Sequence, residues 1–200
     1  MKKLYVALPL ILLLSACANN IQDRSGFGTT PASNVGYIAG GFLNSYRESF
    51  ARMALEIHNT STNESFFIEL QQPKNHSDIE IFPFSEGSYR LSNLVEMGGI
   101  GDVGKRVPIK DPDLSQPFLV KTGAITYIGH FDGRSTNEIN SIFVVGTSGW
   151  VDTNSGYGFT VVNEEAAKVS EQIAKIYRAY SSLNVSRAFS LDTASQRDKR

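Results

Sequence analysis

Alternating hydrophobic and polar residues, separated by short turn-forming stretches, constrain the fold of this chain more than any other feature between residues 34 and 162. A period of two places successive side chains on opposite faces of a β-strand. The first runs of this kind occupy residues 52–58, 66–71, 79–82 and 88–94. Because residues 59–63 (NTSTN) favour a turn, the first two runs predict a β-hairpin.

A segment rich in glycine and proline separates these strands from a second set. It covers residues 98–116 and contains Gly98, Gly99, Gly101, Gly104 and Pro108. Such a segment predicts a long connection that crosses from one sheet to another. A short run at residues 118–120 and a turn at residues 121–123 follow it.

The strongest predicted strand is residues 124–131, and Asp132-Gly133 predicts a turn directly after it. Strict alternation gives this strand one face with Ile125, Tyr127 and Phe131 and another face with Thr126, Ile128 and His130. Residues 141–145 are nearly all apolar and predict a buried strand. Residues 150–152 and 158–162 flank a turn-forming stretch and predict a final hairpin.

A change of hydrophobic period from 2 to 3.6 marks a single helix near the end of the chain. One apolar stripe is formed by Val169, Ile173, Ile176, Tyr177 and Tyr180. Asn163 suits an N-cap, and Glu164 and Glu165 suit the positive end of the helix dipole. The pattern predicts an amphipathic helix over about residues 164–180 that packs on the sheets.

Together these elements predict a mainly β fold over residues 34–185. We expect an antiparallel β-sandwich of about eight to nine strands with one C-terminal amphipathic helix. Residues 84–91 (FSEGSYRL) and 118–129 (FLVKTGAITYIG) also resemble a group of bacterial lipoproteins of unknown function, which have a prealbumin-like sandwich. The likeness spans about residues 36–180. It implies the same fold and brings no catalytic residue with it.

The first 17 residues carry a processing motif. Lys2 and Lys3 precede an apolar run over residues 4–14, which is too short to span a membrane, since spanning needs about 20 apolar residues. Leu14-Ser15-Ala16-Cys17 closes this run and resembles the lipobox of bacterial lipoprotein precursors. The resemblance implies that residues 1–16 are a signal peptide and that Cys17 carries acyl chains such as palmitate. Residue 18 is Ala, not the Asp of inner-membrane retention, which favours the outer membrane.

The two ends of the expected mature chain lack any period. Residues 17–33 are rich in Gly, Ser, Thr and Asn and predict a flexible tether with a reach of about 20–25 Å. Residues 186–200 are polar and predict a frayed tail. The folded body is therefore expected to stand just off the membrane surface.

Charge and cysteine content restrict the class of partner. The chain has 19 basic and 20 acidic residues, and loss of residues 1–16 leaves 17 basic residues and a formal charge of −3. Without a basic field, nucleic acid is not expected as a partner. Cys17 is the single cysteine, so no internal disulfide is possible.

A glycine motif and three histidines have simple structural explanations. Residues 99–104 match GxGxxG, but no helical period follows them before Pro112, so we expect a loop and not a dinucleotide site. His58, His76 and His130 lack a second ligand at the spacing of a zinc site. We therefore expect neither a metal nor a cofactor.

His130 and nearby aromatic residues are the candidates for chemistry or ligand contact. His130 lies beside Asp132, but Ser148 lacks the glycine spacing of a nucleophile elbow, so no catalytic residue is assigned. Tyr37, Trp150 and Tyr157 lie beside glycines near predicted turns. They either pack in the core or form an exposed cluster that contacts a ligand together with His130.

These observations predict a lipid-anchored protein of the cell envelope with a non-enzymatic binding or assembly role. The expected partners are the membrane, through the lipid on Cys17, and another envelope protein. Two alternatives stay open. One is an envelope hydrolase that uses His130, Asp132 and an unidentified nucleophile, and the other is a purely structural surface lipoprotein.

Overall fold

A computed structural model describes residues 20–22, 30–45, 52–73, 78–97, 103–135, 147–152 and 157–190, and the chain there is mainly β. The helical elements of these ranges are the α-helix α1 (Ala166–Ile176) and a 3-10 turn (Arg178–Tyr180). The strands are β1 Asn20–Ile21, β2 Gly36–Asn44, β3 Arg52–Asn59, β4 Ser65–Glu69, β5 Glu80–Phe84, β6 Gly87–Met97, β7 Val103–Pro108, β8 Phe118–Val120, β9 Ala124–Ser135, β10 Thr147–Asp152, β11 Tyr157–Val162 and β12 Asn184–Arg187. The prediction of a mainly β chain with one late helix is confirmed for the described residues.

The strands of the described ranges form two sheets of six strands each. Sheet 1 has the order β1-β4-β3-β6-β7, with β8 also paired to β6, and sheet 2 has the order β10-β11-β9-β2-β5, with β12 also paired to β9. Three pairs are parallel, β1 with β4, β2 with β9 and β12 with β9. The antiparallel pairing that the sequence predicts is therefore found only in part, because both sheets are mixed. A parallel pair needs a long crossover connection, which local alternation in the sequence cannot reveal.

The two sheets share one hydrophobic core. Met53 and Leu55 from sheet 1 belong to the same buried cluster as Phe42, Phe82 and Phe131 from sheet 2. The Phe42 ring stacks on Phe131 with centroids 6.1 Å apart and meets Phe82 edge-on at 5.8 Å. The predicted hairpin is confirmed here, because β3 pairs antiparallel with β4 across the turn at residues 60–64.

A second buried cluster lies on the outer face of sheet 2, beneath α1. Tyr37, Ile125 and Tyr127 contribute from the sheet, and Val169 and Ile173 contribute from the helix. This face carries aromatic and branched residues because it is covered, so sheet 2 is apolar on both sides over its central strands. The helix thus packs on the sheet as the amphipathic pattern predicts.

The helix is shorter than the 164–180 predicted. It begins after Glu165, which adopts extended φ and ψ values, and it ends at Ile176. Tyr177 leaves the helical region with φ −124° and ψ 70°, and the 3-10 turn follows. As a result Ile176 is 44% exposed although it lies on the predicted apolar stripe, while Tyr180 is 5% exposed. In the described ranges no helix is both long enough and apolar enough to cross a membrane.

A β-bulge in the middle of β9 exchanges the two faces of this strand. The parallel register between β2 and β9 shifts after the pair Ala39 and Tyr127 and resumes at Gly41 and His130. Two residues of β9, Ile128 and Gly129, therefore lie opposite one residue of β2, Gly40. Gly129 has a φ of +117°. Beyond the bulge Phe131 points into the core between the sheets, whereas strict alternation placed it with Tyr127.

The sequence Asp132-Gly133 is not a turn, because β9 continues through it to Ser135. Both residues pair with β11, Asp132 with Thr160 and Gly133 with Phe159. A Cβ on Gly133 would overlap Met53 Cε of sheet 1. Glycine at this position lets the Met53 side chain pack against the strand, a role that a local turn signal cannot distinguish from turn chemistry.

Three short strands lie where the sequence predicts irregular structure. β1 falls in the predicted tether and β12 begins before the predicted tail, and Phe189 beyond it is 4% exposed. β7 lies inside the predicted connection 98–116 and pairs with β6 of the same sheet. The chain instead changes sheet at the predicted turn 121–123, between β8 and β9, where Gly123 has φ +70°.

Candidate functional site

His130 lies on the outer face of sheet 2, at the edge of the cluster beneath α1. The bulge at Gly129 places it there, and its ring meets the Tyr127 ring edge-on with centroids 5.6 Å apart. Gly41 on the neighbouring strand makes room for the imidazole, because a Cβ at that position would overlap His130 Nδ1. The side chain is 23% exposed.

Glu164, two residues before the start of α1, brings a carboxylate to His130. Its Oε2 lies 3.6 Å from His130 Nε2, and its Oε1 accepts a hydrogen bond of 2.5 Å from Lys168 Nζ. Burial raises the pKa of Glu164, but the Lys168 hydrogen bond and the positive charges of His130 and Lys168 outweigh it, so the pKa lies below its ordinary value of 4.5. The carboxylate is therefore held in its charged form.

Tyr127 is the buried member of a polar group that it forms with His130 and Glu164. Its hydroxyl accepts a hydrogen bond of 3.3 Å from the Glu164 backbone N–H and donates one of 3.4 Å to the Val162 carbonyl. Burial raises the pKa of Tyr127 far above the ordinary range, so the phenol is neutral at physiological pH. These bonds attach the start of α1 to β9 and to the end of β11.

Asp132 binds Arg134 and not His130, the partner that the hydrolase hypothesis requires. Its Oδ2 accepts hydrogen bonds from Arg134, at 2.7 Å from Nε and 2.6 Å from Nη2. The structure therefore pairs Asp132 with Arg134, and His130 with Glu164. Sequence reasoning missed Glu164 because its position near a helix start has an ordinary explanation in the helix dipole.

The chemistry open to this group is to hold charge and protons between the sheet and the helix. A carboxylate beside an imidazole orients the ring and stabilises its protonated form, as in many acid–base sites. In many acid–base sites the carboxylate is open to solvent or substrate, whereas here Glu164 Oε2 and Asp132 Oδ1 are both buried from solvent. Over the described ranges no group of three or more His, Cys, Asp or Glu side chains could hold a metal ion.

We expect Glu164→Gln to destabilise the chain by about 1–3 kcal/mol at neutral pH, with a deficit that shrinks as the pH falls below 4.5. The pKa of Glu164 is lowered in the folded state, so the stability it contributes is present above the unfolded pKa and lost on acidification through the folded value. Urea unfolding of both proteins between pH 3 and pH 7 measures this difference.

Glu165→Gln is the matched control for this prediction. The Glu165 side chain is 80% exposed and lies 3.5 Å from Arg187 Nη1, so its loss should change stability by less than about 0.5 kcal/mol at any pH. A deficit for Glu164→Gln that is equal at pH 3 and pH 7 would contradict the charged-carboxylate interpretation.

Tyr37 does not belong to an exposed aromatic cluster. It is 2% exposed, its ring meets Tyr180 edge-on at 5.2 Å, and its hydroxyl accepts a hydrogen bond of 2.7 Å from the Ala32 N–H. Its register partner on β9 is Ile125, whereas that of Tyr157 is Ser135. At about 3.3 Å per residue these positions lie about 30 Å apart along the strand.

For the remaining candidates, the structure gives either the strand position alone or no description. Trp150 on β10 pairs with Phe159 on β11, and Ser148 pairs with Val161, which confirms the predicted final hairpin. Cys17, His76 and residues 141–145 lie outside the described ranges. Strand β7 begins at Val103, inside the GxGxxG stretch, and continues to Pro108 where a dinucleotide site needs the start of a helix.

A surface groove lies where β8, β9 and β12 meet; we refer to it as the β8–β12 groove. It has a volume of about 540 Å³, and its lining includes Leu119, Lys121, Thr126, Asn184, Ser186 and Arg187. Thr126 Oγ1 donates a hydrogen bond of 2.8 Å to the Leu119 carbonyl, which ties β8 to β9. The sequence gives little sign of this groove, because the β12 wall overlaps the predicted tail.

Comparison with known proteins identifies no family for this chain. No family model and no curated protein matches it. Among solved structures, the chain is similar to a leucine-rich repeat protein from Bacteroides thetaiotaomicron, with 14% sequence identity and a TM-score of 0.32 over 65% of the chain. The chain spans 20% of the length of that protein. So slight a likeness transfers neither fold nor function.

Proposed function

We propose that this chain is a lipid-anchored protein of the bacterial cell envelope whose folded body is a non-enzymatic binding or assembly module. Residues 1–16 act as the signal peptide, and acyl chains on Cys17 hold the protein at the outer membrane. The two packed sheets form a β-sandwich of mixed pairing. The partner of the body is another envelope protein.

The lipobox is the observation that carries this proposal. Leu14-Ser15-Ala16-Cys17 closes an apolar run that begins after two lysines and is too short to span a membrane. Each buried methylene of an acyl chain contributes about 0.8 kcal/mol, so two or three chains anchor a protein stably where one does not. The folded body is then not needed for membrane attachment, and its surfaces are available to a partner.

The surface of the body supports a binding role over the hydrolase alternative. The β8–β12 groove has a volume of about 540 Å³, within the range of about 300–1,000 Å³ typical of binding pockets. In the polar group at His130, by contrast, Asp132 is bound to Arg134 and Glu164 to Lys168. That arrangement favours a structural role for His130 in holding α1 to the sheet.

Replacement of Cys17 by serine tests the anchor. In a Gram-negative host supplied with labelled palmitate, the wild-type chain should incorporate the label and fractionate with the outer membrane. Cys17→Ser removes the thiol that accepts the diacylglyceryl group, so we expect labelling to fall to background and the chain to be released or to stall as the precursor. Label incorporation and membrane fractionation are the measurements.

Ser15→Ala is the matched control, because it keeps a small residue two positions before Cys17 and should label normally. Palmitate incorporation that persists in Cys17→Ser would overturn the proposed localisation. The binding role is tested separately by crosslinking in intact cells. Recovery of the labelled protein with no envelope protein attached to it would favour the purely structural alternative.

A further inference from the structure

The β8–β12 groove is bordered by β12, a short strand that pairs along one of its two edges in the described part of the chain. In the described part of the chain β12 pairs with β9 alone, in parallel register from Asn184 with Ala124 to Arg187 with Tyr127. The Ala188 N–H continues this ladder with a bond of 2.8 Å to the Tyr127 carbonyl. Residues of a parallel strand point their main-chain groups to alternate sides. Since the main-chain N–H of Ala188 points toward β9, the main-chain N–H and C=O groups of Val185 and Arg187 point away from β9.

An edge of this kind accepts an added strand. An extended peptide beside β12 would pair its main chain with the N–H and C=O groups of Val185 and Arg187, which is the β-augmentation mode of recognition. The same peptide would lie along the groove, where Asn184 and Ser186 offer amide and hydroxyl groups. Leu119 at the groove is 60% exposed and provides an apolar contact.

The charges of the groove select the kind of peptide. Among the described residues that line it, Lys121 and Arg187 are the ionisable ones, and none carries a carboxylate. Arg187 contacts Glu165 at 3.5 Å, but Glu165 is 80% exposed and such solvated pairs contribute little. Glu86 is the other neighbouring carboxylate: it accepts a bond of 3.1 Å from the Thr122 N–H, and this bond lowers its pKa. Neither Glu165 nor Glu86 is among the residues that line the groove.

We propose that the β8–β12 groove binds an extended acidic peptide segment of an envelope protein, which adds as a strand to β12 and places carboxylates against Lys121 and Arg187. This inference rests on the binding role proposed above and names the site and the chemistry of the partner. It is favoured over an anionic lipid surface because a strand edge recognises main-chain amides, which a lipid headgroup does not present.

A peptide library tests the proposal on the full mature chain, immobilised through its N-terminus. Random ten-residue peptides are selected for binding, and we expect enrichment of Asp or Glu together with alternating apolar residues. Arg187→Gln and Lys121→Gln should each weaken binding of an enriched peptide at least tenfold. Arg178→Gln, an exposed arginine on the 3-10 turn outside the groove lining, is the matched control and should bind as wild type.

Two modified peptides separate main-chain pairing from charge attraction. N-methylation at alternate residues removes the N–H groups that face β12 and should abolish binding, whereas methylation at the intervening residues should not. Replacement of the acidic residue that contacts Arg187 by its amide should weaken binding at least tenfold in wild type but little in Arg187→Gln. Equal loss in both proteins would contradict the assigned contact.

Three outcomes overturn the proposal. One is enrichment of peptides whose binding is unchanged by Arg187→Gln and Lys121→Gln, and another is no enrichment at all. The third is binding of phosphatidylglycerol vesicles that is lost in both variants, which would assign the groove to lipid headgroups. If an envelope protein still crosslinks to the chain in cells through another surface, the proposed binding role stands while the groove assignment fails.

Discussion

Replacing Gly129 with alanine should destabilise the folded chain by about 2–4 kcal/mol. Gly129 has a φ of +117°, a backbone conformation that residues with a Cβ rarely adopt. An added Cβ would also lie 2.8 Å from Cγ2 of Val161, a fully buried residue of the neighbouring strand β11. One substitution thus introduces both backbone strain and overlap in the core. The midpoint of urea unfolding at unchanged slope measures the loss.

Gly123→Ala is the matched control. Gly123 also has a positive φ, +70°, but nothing lies within 4 Å of the position that a Cβ would take. Only the cost of the left-handed conformation is expected, about 1–2 kcal/mol. Equal losses for the two variants would show that packing against Val161 contributes nothing at Gly129. A Gly129→Ala variant as stable as wild type would contradict the bulge itself.

The bulge also explains why His130 could not be placed from the sequence. Strict alternation along β9 puts His130 on the same face as Ile128, which is buried between the sheets. The extra residue at Gly129 reverses this order, so His130 shares a face with Tyr127 and meets Glu164. A single glycine carries no sign of whether it marks a bulge, a close contact or a turn.

Local patterns were sufficient for the hairpins, the turn before β9 and the helix. Residue spacing over a few positions is enough to predict all of them: the β3–β4 and β10–β11 pairs, the turn at residues 121–123, and the burial of Val169 and Ile173 on the helix stripe. Each of these features is determined by neighbours in the chain, where hydrophobic period and turn chemistry act directly.

Contacts between distant segments could not be predicted in the same way. The parallel pairing of β2 with β9 and of β12 with β9 joins strands that are far apart in the chain. Short edge strands such as β1 and β12 have too few residues to show a period. The contact of His130 with Glu164 and the β8–β12 groove both depend on these long-range arrangements, so neither is visible in the sequence.

Replacing Ile173 with alanine should destabilise the chain by about 2–4 kcal/mol. Ile173 is 1% exposed and, with Val169, forms the apolar side of α1 that packs on Tyr37, Ile125 and Tyr127 of sheet 2. Removal of its branched side chain leaves a cavity beneath the helix and forfeits the burial that holds α1 in place. Thermal and urea unfolding of the mature chain measure the change.

Ile176→Ala is the control that distinguishes this contact from helix propensity. Ile176 lies on the same helix and the same predicted stripe, but it is 44% exposed because the helix ends there. Alanine is the stronger helix former, so Ile176→Ala should leave stability within about 0.5 kcal/mol of wild type. Comparable losses at both positions would mean that the helix continues past residue 176 and buries both side chains, as the sequence pattern alone predicts.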